Sequence, residues 1–405
     1  MRRFTLAALI GLVWLLAGCD ETEQSFQLPD APSSPDTAKM TDHIHTLSDR
    51  RSFYMGFAYQ PYDWNQNAFD ETARILGENG DIVGIFFDGF VPWPEAAAKT
   101  KYHPNQEEEI ARRLAAIQPH HKVLVSTSIL GGDRVSLSQY LGENDLPLPS
   151  DWQDRSFDHP EVIAAYLNWC RDLIKRFKPD YFVYVMEVDA AFDDVDDPRF
   201  KKLYRAIQQV YPVLKQDYPS LPIIIEFMLM NDEEMGKRAD VVEALMPYTD
   251  FYGVSTYPFL HAGGDPDDIE RDWFSRASSI APNKPFAIIE TNHLAEDFLH
   301  PTLGVKIPGR EGRVLIPGEE FWQAEYVDFL FSEAQKMDAE FVIQWTSRDL
   351  DQLAEKLRGT GLPYDPDIEP MGNLAKDCGL IDENGRERLA LAVWRRWLAL
   401  PREPF

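Results

Sequence analysis

Glu187 and Glu290 are the residues whose setting points to chemistry. Each stands where a short apolar run ends. Tyr181-Phe-Val-Tyr-Val185 gives way to Met186-Glu187-Val188-Asp189, and Pro285-Phe-Ala-Ile-Ile289 gives way to Glu290-Thr291-Asn292. Runs this short, β-branched and aromatic suit strands buried on both faces of a parallel sheet. A carboxylate at the end of such a strand lies on the C-terminal rim, where α/β enzymes keep their chemistry. Two carboxylates facing each other can divide two opposed tasks. One protonates a leaving oxygen and the other attacks or stabilises the carbon it leaves, as cleavage of a glycosidic bond requires. A spacing of about 5 Å suits retention of configuration. The bland alternative for either glutamate is a structural ion pair with Arg or Lys at the rim.

From residue 53 onward, strand-like and helix-like segments alternate. The strands are expected at Phe53–Tyr59, Ile82–Phe87, Lys122–Ser128, Tyr181–Val185, Pro222–Met228, Phe251–Thr256, Phe286–Glu290 and Phe341–Trp345. Helices are expected near 67–78, 105–117, 160–177, 198–216, 232–246, 266–280, 317–336 and 386–398. Their starts carry caps, prolines or acids, as in Asp158-His-Pro160, Asp197-Pro198 and Asp265-Pro266. Eight β-then-α units predict an α/β fold of the (β/α)₈ TIM-barrel type. A doubly wound open sheet would put a Gly-rich phosphate turn after its first strand. Here that turn is Gln60-Pro-Tyr-Asp-Trp64. The long connections, 129–158, 291–316 and 346–385, all follow strands, so chain length is spent on the rim where the two glutamates emerge.

These stretches resemble glycoside hydrolase clan A, the retaining barrels with an acid/base Glu after strand four and a nucleophilic Glu after strand seven. Met186-Glu187-Val188-Asp189 corresponds to the strand-four region and Ile288-Ile289-Glu290-Thr291 to the nucleophile segment. Val254-Ser-Thr-Tyr-Pro258 is similar to the strand-six segment whose Tyr bonds the nucleophile. Gln344-Trp345 is similar to the strand-eight Trp beneath the sugar. Gly379-Leu-Ile-Asp-Glu-Asn-Gly385 and Ala390-Leu-Ala-Val-Trp394 resemble the closing stretch. The motif wording is nearest to the endo-β-1,4-galactanases. The resemblance implies a retaining hydrolase of a neutral β-linked poly- or oligosaccharide, with Glu187 as acid/base, Glu290 as nucleophile, Tyr257 orienting it and Trp345 flooring the sugar. Met186 stands where the family has an Asn that binds the sugar 2-hydroxyl, and Asn292, Asn231 and Glu226 are the candidates to replace it. Without a replacement, the alternative is a catalytically inactive barrel that binds glycans.

Other rim residues have two readings. Asp88 binds a sugar hydroxyl or caps a loop. Tyr59, Tyr62, Trp64, Trp93, Trp152 and Phe259 follow strands, where rings stack on sugar faces or pack long loops. Tyr59 and Trp64 are the substrate-binding candidates among them. Glu226 is a displaced acid or a rim ion pair. His261 and His293 lack metal-ligand spacing, and His43-Ile-His45 has no third ligand nearby. No metal or cofactor is called for.

The N-terminus reads as a targeting segment. Arg2-Arg3 precedes the apolar run Leu6–Leu16, and Leu16-Ala17-Gly18-Cys19 resembles a bacterial lipobox. The expected organisation is a signal peptide over 1–18, a lipidated Cys19 with a tether to residue 50, and one glycosidase-like domain over 51–405. Such a protein sits in the bacterial cell envelope, lipid-anchored on the periplasmic side of the inner membrane or at the outer membrane. Residues 20–50 are rich in Pro, Ser, Asp, Glu and Thr, as a tether should be. The whole chain carries net −27, and loss of Arg2 and Arg3 takes it to −29. That charge disfavours nucleic acid and anionic polysaccharide as partners. Cys170 and Cys378 are either a pair or buried thiols.

Overall fold

The computed structural model describes residues 49–87, 89–142, 148–301, 313–358 and 376–403. Cys19, the tether to residue 48 and Asp88 lie outside them.

Eight parallel strands close into a barrel in the order β1-β10-β7-β6-β5-β4-β3-β2. They are β1 (Tyr54–Ala58), β2 (Ile82–Phe87), β3 (Lys122–Thr127), β4 (Tyr181–Val185), β5 (Ile223–Met228), β6 (Tyr252–Thr256), β7 (Phe286–Thr291) and β10 (Phe341–Gln344). Pairing of Tyr54–Phe57 with Phe341–Gln344 closes the ring, so the fold is a (β/α)₈ TIM barrel and not an open sheet.

Alternation along the strands divides the core into two layers. Inside the barrel, Val183, Ile224, Ala287, Ile289, Phe341 and Ile343 fill one apolar cluster. Burying each aliphatic side chain of this kind contributes about 1.5–3 kcal/mol. Outward-facing residues such as Phe57, Tyr184, Phe227 and Ile288 meet the helices in a second, larger cluster.

The main surrounding helices are α1 (Gln66–Asn79), α2 (Trp93–Ala98), α3 (Pro104–Ala116), α4 (Pro160–Phe177), α5 (Pro198–Asp217) and α6 (Asp232–Leu245). Helix α5 starts as expected, with Asp197 accepting the Arg199 N–H and Pro198 in the first turn. At α4 the cap is His159 rather than Asp158, which instead accepts from Ser156 Oγ at 2.6 Å and pairs with Arg205.

Four connections differ from expectation, the first by the extra helix α2 between β2 and α3. The long helix expected over 266–280 is replaced by α7 (Phe259–Ala262), a 3₁₀ turn at Pro266–Asp268 and α8 (Arg276–Ile280). Asp265-Pro-Asp-Asp-Ile-Glu-Arg-Asp272 has too few apolar positions for a continuous core-facing stripe, and Trp273 anchors the segment by donating to Thr256 Oγ1 at 2.8 Å. The connection after β7 contains an antiparallel hairpin, β8 (Phe298–Pro301) with β9 (Arg313–Ile316), before α9 (Glu320–Lys336). After β10 a short helix, α10 (Asp351–Leu357), precedes the last helix, α11 (Leu389–Leu398).

Trp394 of α11 locks the closing stretch to the start of the barrel. Its ring stacks on Phe57 at 4.3 Å and its indole N–H donates to Asn79 O at 2.7 Å. The chain enters at the opposite end from the strand-end glutamates, where Arg51 N donates to Pro401 O at 3.0 Å. No helix among the described residues is long and apolar enough to cross a membrane.

Candidate active site

Two register shifts aim the site. Val183 pairs with Ile224 but Val185 pairs with Ile225, so β4 carries one extra residue at Tyr184. Val254 pairs with Ile288 but Ser255 pairs with Glu290, so β7 carries one at Ile289. An extra residue bends a strand and resets its alternation. On β7 it leaves Ile289 in the interior cluster and turns Glu290 inward as well, while Thr291 faces α9, its Oγ1 2.5 Å from Tyr326 Oη. At the end of β4, Glu187 has φ of 41°, a left-handed turn that few non-glycine residues adopt.

Ser255 links the two glutamates. Its Oγ donates to Glu187 Oε1 at 3.0 Å, and its backbone is the register partner of Glu290. On the same strand end, the Tyr257 hydroxyl donates to Glu290 Oε1. Burial, followed by the charges of Glu290 and Glu187, drives the Tyr257 phenol well above its ordinary acidity range, so it remains a donor at working pH. Glu187, Glu290 and Tyr257 are all buried.

Glu187 is also held from the connection that follows the third strand. Arg134 donates from Nε at 3.0 Å and from Nη2 at 2.5 Å, both to Glu187 Oε2. This guanidinium is only 1% exposed. A buried pair gives up the hydration of both ions, so breaking it by removing one partner costs about 3–5 kcal/mol. Arg134 lies in Gly131-Gly132-Asp133-Arg134, within the long connection after β3, and carries no strand or helix signal that would have marked it.

Asp189, two residues on, accepts from Met228 N at 2.8 Å, and burial pushes its carboxyl up to about 6. Glu226 faces inward on β5, paired with Gly253 on β6, and its charge is felt at Tyr257. A Cβ on Gly253 would meet Ile289 Cδ1 at 2.5 Å, so the glycine leaves the interior its room.

Met186 is fully buried in the interior apolar cluster, and its backbone N–H donates to Ser128 Oγ at 3.2 Å. Of the residues named to replace a family Asn there, the two asparagines are otherwise engaged. Asn231 caps α6 by accepting the Glu234 N–H at 2.9 Å, and its amide nitrogen meets His261 Nδ1 at 3.3 Å. Asn292 donates to Trp345 O at 2.7 Å, and its Oδ1 has no partner among the described residues. Glu226 is fully buried on β5.

Trp345 borders the interior cluster and is partly exposed at the end of β10. Tyr59 and Trp64 are not brought to the glutamates. Tyr59 turns into the helix layer, where burial raises its phenol to about 12 and Arg113, Arg112 and Asp70 act on it. Trp64 packs edge-on against Phe69 at 5.4 Å, with Arg112 4.4 Å from its ring. Trp93 and Trp152 stack on each other at 5.5 Å, both buried, and Phe259 is buried too. Loop packing therefore accounts for most of the strand-end aromatics. His261 and His293 are pushed down to about 4, chiefly by burial.

Cys170 and Cys378 are free, buried thiols. Carboxylate oxygens of Glu296, Asp349 and Asp377 come within 4.8 Å of one another. Arg388 already supplies positive charge there, with Nη2 2.7 Å from both Asp349 and Glu296.

No protein-family model matches the sequence, and no curated protein does. Solved structures do match. An exo-β-1,4-mannosidase from Opitutaceae bacterium strain TAV5 aligns with TM-score 0.57 at 13% identity, over 86% of this chain and 59% of that one. Xylanase 10B from Thermotoga maritima aligns with TM-score 0.53 at 13% identity, over 86% and 95%. A GH53 catalytic domain from Ignisphaera aggregans aligns with TM-score 0.51 at 15% identity, over 87% and 98%. At these identities the likeness establishes the barrel fold and not the activity.

Proposed function

We propose that the protein is a retaining glycoside hydrolase of a neutral β-linked poly- or oligosaccharide, exported and lipid-anchored at Cys19. Glu290 is the nucleophile, held by Tyr257, and Glu187 is the acid/base. The observation that carries the reading is the convergence on β6: Ser255 bonds Glu187 and is the register neighbour of Glu290, while Tyr257 bonds Glu290. The net negative charge supports a neutral sugar. The described chain enters at the barrel end opposite the glutamates, so a tethered barrel would present its cleft away from the bilayer.

Glu290→Gln should abolish turnover in a screen of β-glycans and aryl β-glycosides while leaving thermal unfolding within a few degrees of wild type. Hydrolysis by that variant at the wild-type rate would end the assignment.

A second reading is a barrel that binds glycans without cleaving them. The buried Arg134–Glu187 ion pair favours it, because it ties up the group that would protonate the leaving oxygen. Glycan binding measured by calorimetry, with no reducing ends released by wild type, would select it.

A further inference from the structure

The Arg134–Glu187 contact bears on how the two halves of the proposed reaction share the work. We propose that Arg134 is a positioning residue that holds Glu187 ready as a base and opposes its duty as an acid, making departure of the aglycone the slow step. This rests on the hydrolase reading above.

The argument is one of lone pairs and protons. A guanidinium has donors only and accepts nothing. Both of its bonds to Glu187 end on Oε2, so that oxygen cannot carry a proton while the contact stands. Oε1 faces the Ser255 hydroxyl at 3.0 Å. A proton placed on Oε1 would remove the charge on which the two Arg134 bonds rest, in a site where both partners are almost fully buried.

In the first half-reaction Glu290 attacks the anomeric carbon, an ester bond forms and the glycosidic bond breaks. The electron pair goes to the aglycone oxygen, which then needs a proton. Glu187 gives it only after the Arg134 contact has loosened and the carboxylate has taken a proton from solvent, so an aglycone that is stable as an oxyanion leaves fastest. In the second half-reaction the same contact is an asset. Glu187 takes a proton from water, the water oxygen attacks the anomeric carbon, the ester bond breaks and the Glu290 carboxylate is restored. The proton then passes from Glu187 to solvent.

The test uses the full-length wild-type protein and β-glycosides of glucose, galactose, mannose and xylose with 2,4-dinitrophenyl, 4-nitrophenyl, phenyl and methyl aglycones. A general acid contributes about 10²–10⁴-fold. The expected result is a fall in kcat/KM of that order, about 10²–10⁴, from dinitrophenyl to phenyl. Arg134→Gln should flatten the series by raising the phenyl rate relative to the dinitrophenyl rate. Arg134→Lys, which keeps the charge, should stay steep. The wild-type series stands even if a variant fails to fold. A wild-type series that is already flat, or an equally steep one in folded Arg134→Gln, overturns the role of Arg134.

The hydrolase reading is tested separately by 2,4-dinitrophenyl 2-deoxy-2-fluoro-β-glycosides, which need no acid to react. A glycosyl adduct mapped to Glu290 by peptide mass spectrometry is expected. An adduct with a flat series sinks only the Arg134 proposal, whereas no adduct with any of the four sugars sinks the reading beneath it.

Discussion

Tyr257→Phe isolates one hydrogen bond in the site. The substitution keeps the ring, whose centroid lies 6.3 Å from Phe259, and removes only the hydroxyl that donates to Glu290 Oε1. A hydrogen bond to a charged group contributes about 1.5–3 kcal/mol. Under the proposed mechanism the Glu290 carboxylate is an ester in the glycosyl-enzyme, and charge returns to it as water attacks. The Tyr257 donor is therefore strengthened in the transition state of deglycosylation, where differential stabilisation counts. Losing it should lower that step by about 10- to 150-fold, since each 1.36 kcal/mol is tenfold in rate. The dinitrophenyl substrate is the right probe, because its aglycone leaves unaided and deglycosylation then limits turnover. Expected are a fall in kcat of that size, a parallel fall in KM, and a pre-steady-state burst of dinitrophenol close to one equivalent of enzyme. Burial and the two glutamate charges keep the phenol protonated far above neutrality, so the loss should be constant across working pH. Wild-type kcat and KM in Tyr257→Phe, or a loss confined to kcat/KM with no burst, would refute the placement of Tyr257 on the nucleophile.

Two further predictions concern the strand-four motif. Asp189 is raised from 3.8 to about 6, so the folded protein keeps this proton where the unfolded chain has shed it. Its contribution to stability is therefore present below about pH 4 and lost as pH rises to about 6, by at most about 3 kcal/mol. Asp189→Asn, which keeps an acceptor for the Met228 N–H, should gain stability over wild type between pH 4.5 and 7 in denaturant melts; an unchanged difference would count against the buried acid. Met186→Asn places an amide in the apolar interior and should cost about 2–5 kcal/mol, the range for truncating a buried Met, before any unsatisfied amide is added. Equal stability by thermal melt would show that Met186 borders the cleft instead of the core.

The frame of the barrel was legible because each of its elements has a local cause. Apolar runs of four to six residues recur eight times as the barrel strands, and His-Pro or Asp-Pro opens three of the helices between them, at Pro104, Pro160 and Pro198. The aromatics were less legible. A ring after a strand has the same composition whether it faces a sugar or a helix. Tyr59 was decided by Arg112 and Arg113 on α3, about fifty residues away in sequence. Arg134 was invisible for a related reason: its partner Glu187 lies 53 residues on, and a Gly-Gly-Asp-Arg loop has no periodicity to read.

The site itself turns on two residues that pattern reading passes over. Alternation along β7 puts Ala287 and Ile289 inside the barrel, and continued strictly it would point Glu290 at α9 and Thr291 into the barrel. The extra residue at Ile289 reverses this, so Glu290 meets Tyr257 while Thr291 meets Tyr326. On β4 the extra residue at Tyr184 turns Met186 inward, and the left-handed turn at Glu187 then brings its carboxylate to Ser255. Neither bulge contains a glycine or proline to announce it. A bulge interrupts ladder pairing and is kept only where the surrounding structure holds it, and both fall on the strands that carry the glutamates. That makes aim, more than composition, the property these strand ends encode. The residue at position 186 thus matters less for the amide it lacks than for the apolar weight it adds beneath Glu187, in a site where Arg134 and Ser255, and not a neighbouring Asn, fix the carboxylate.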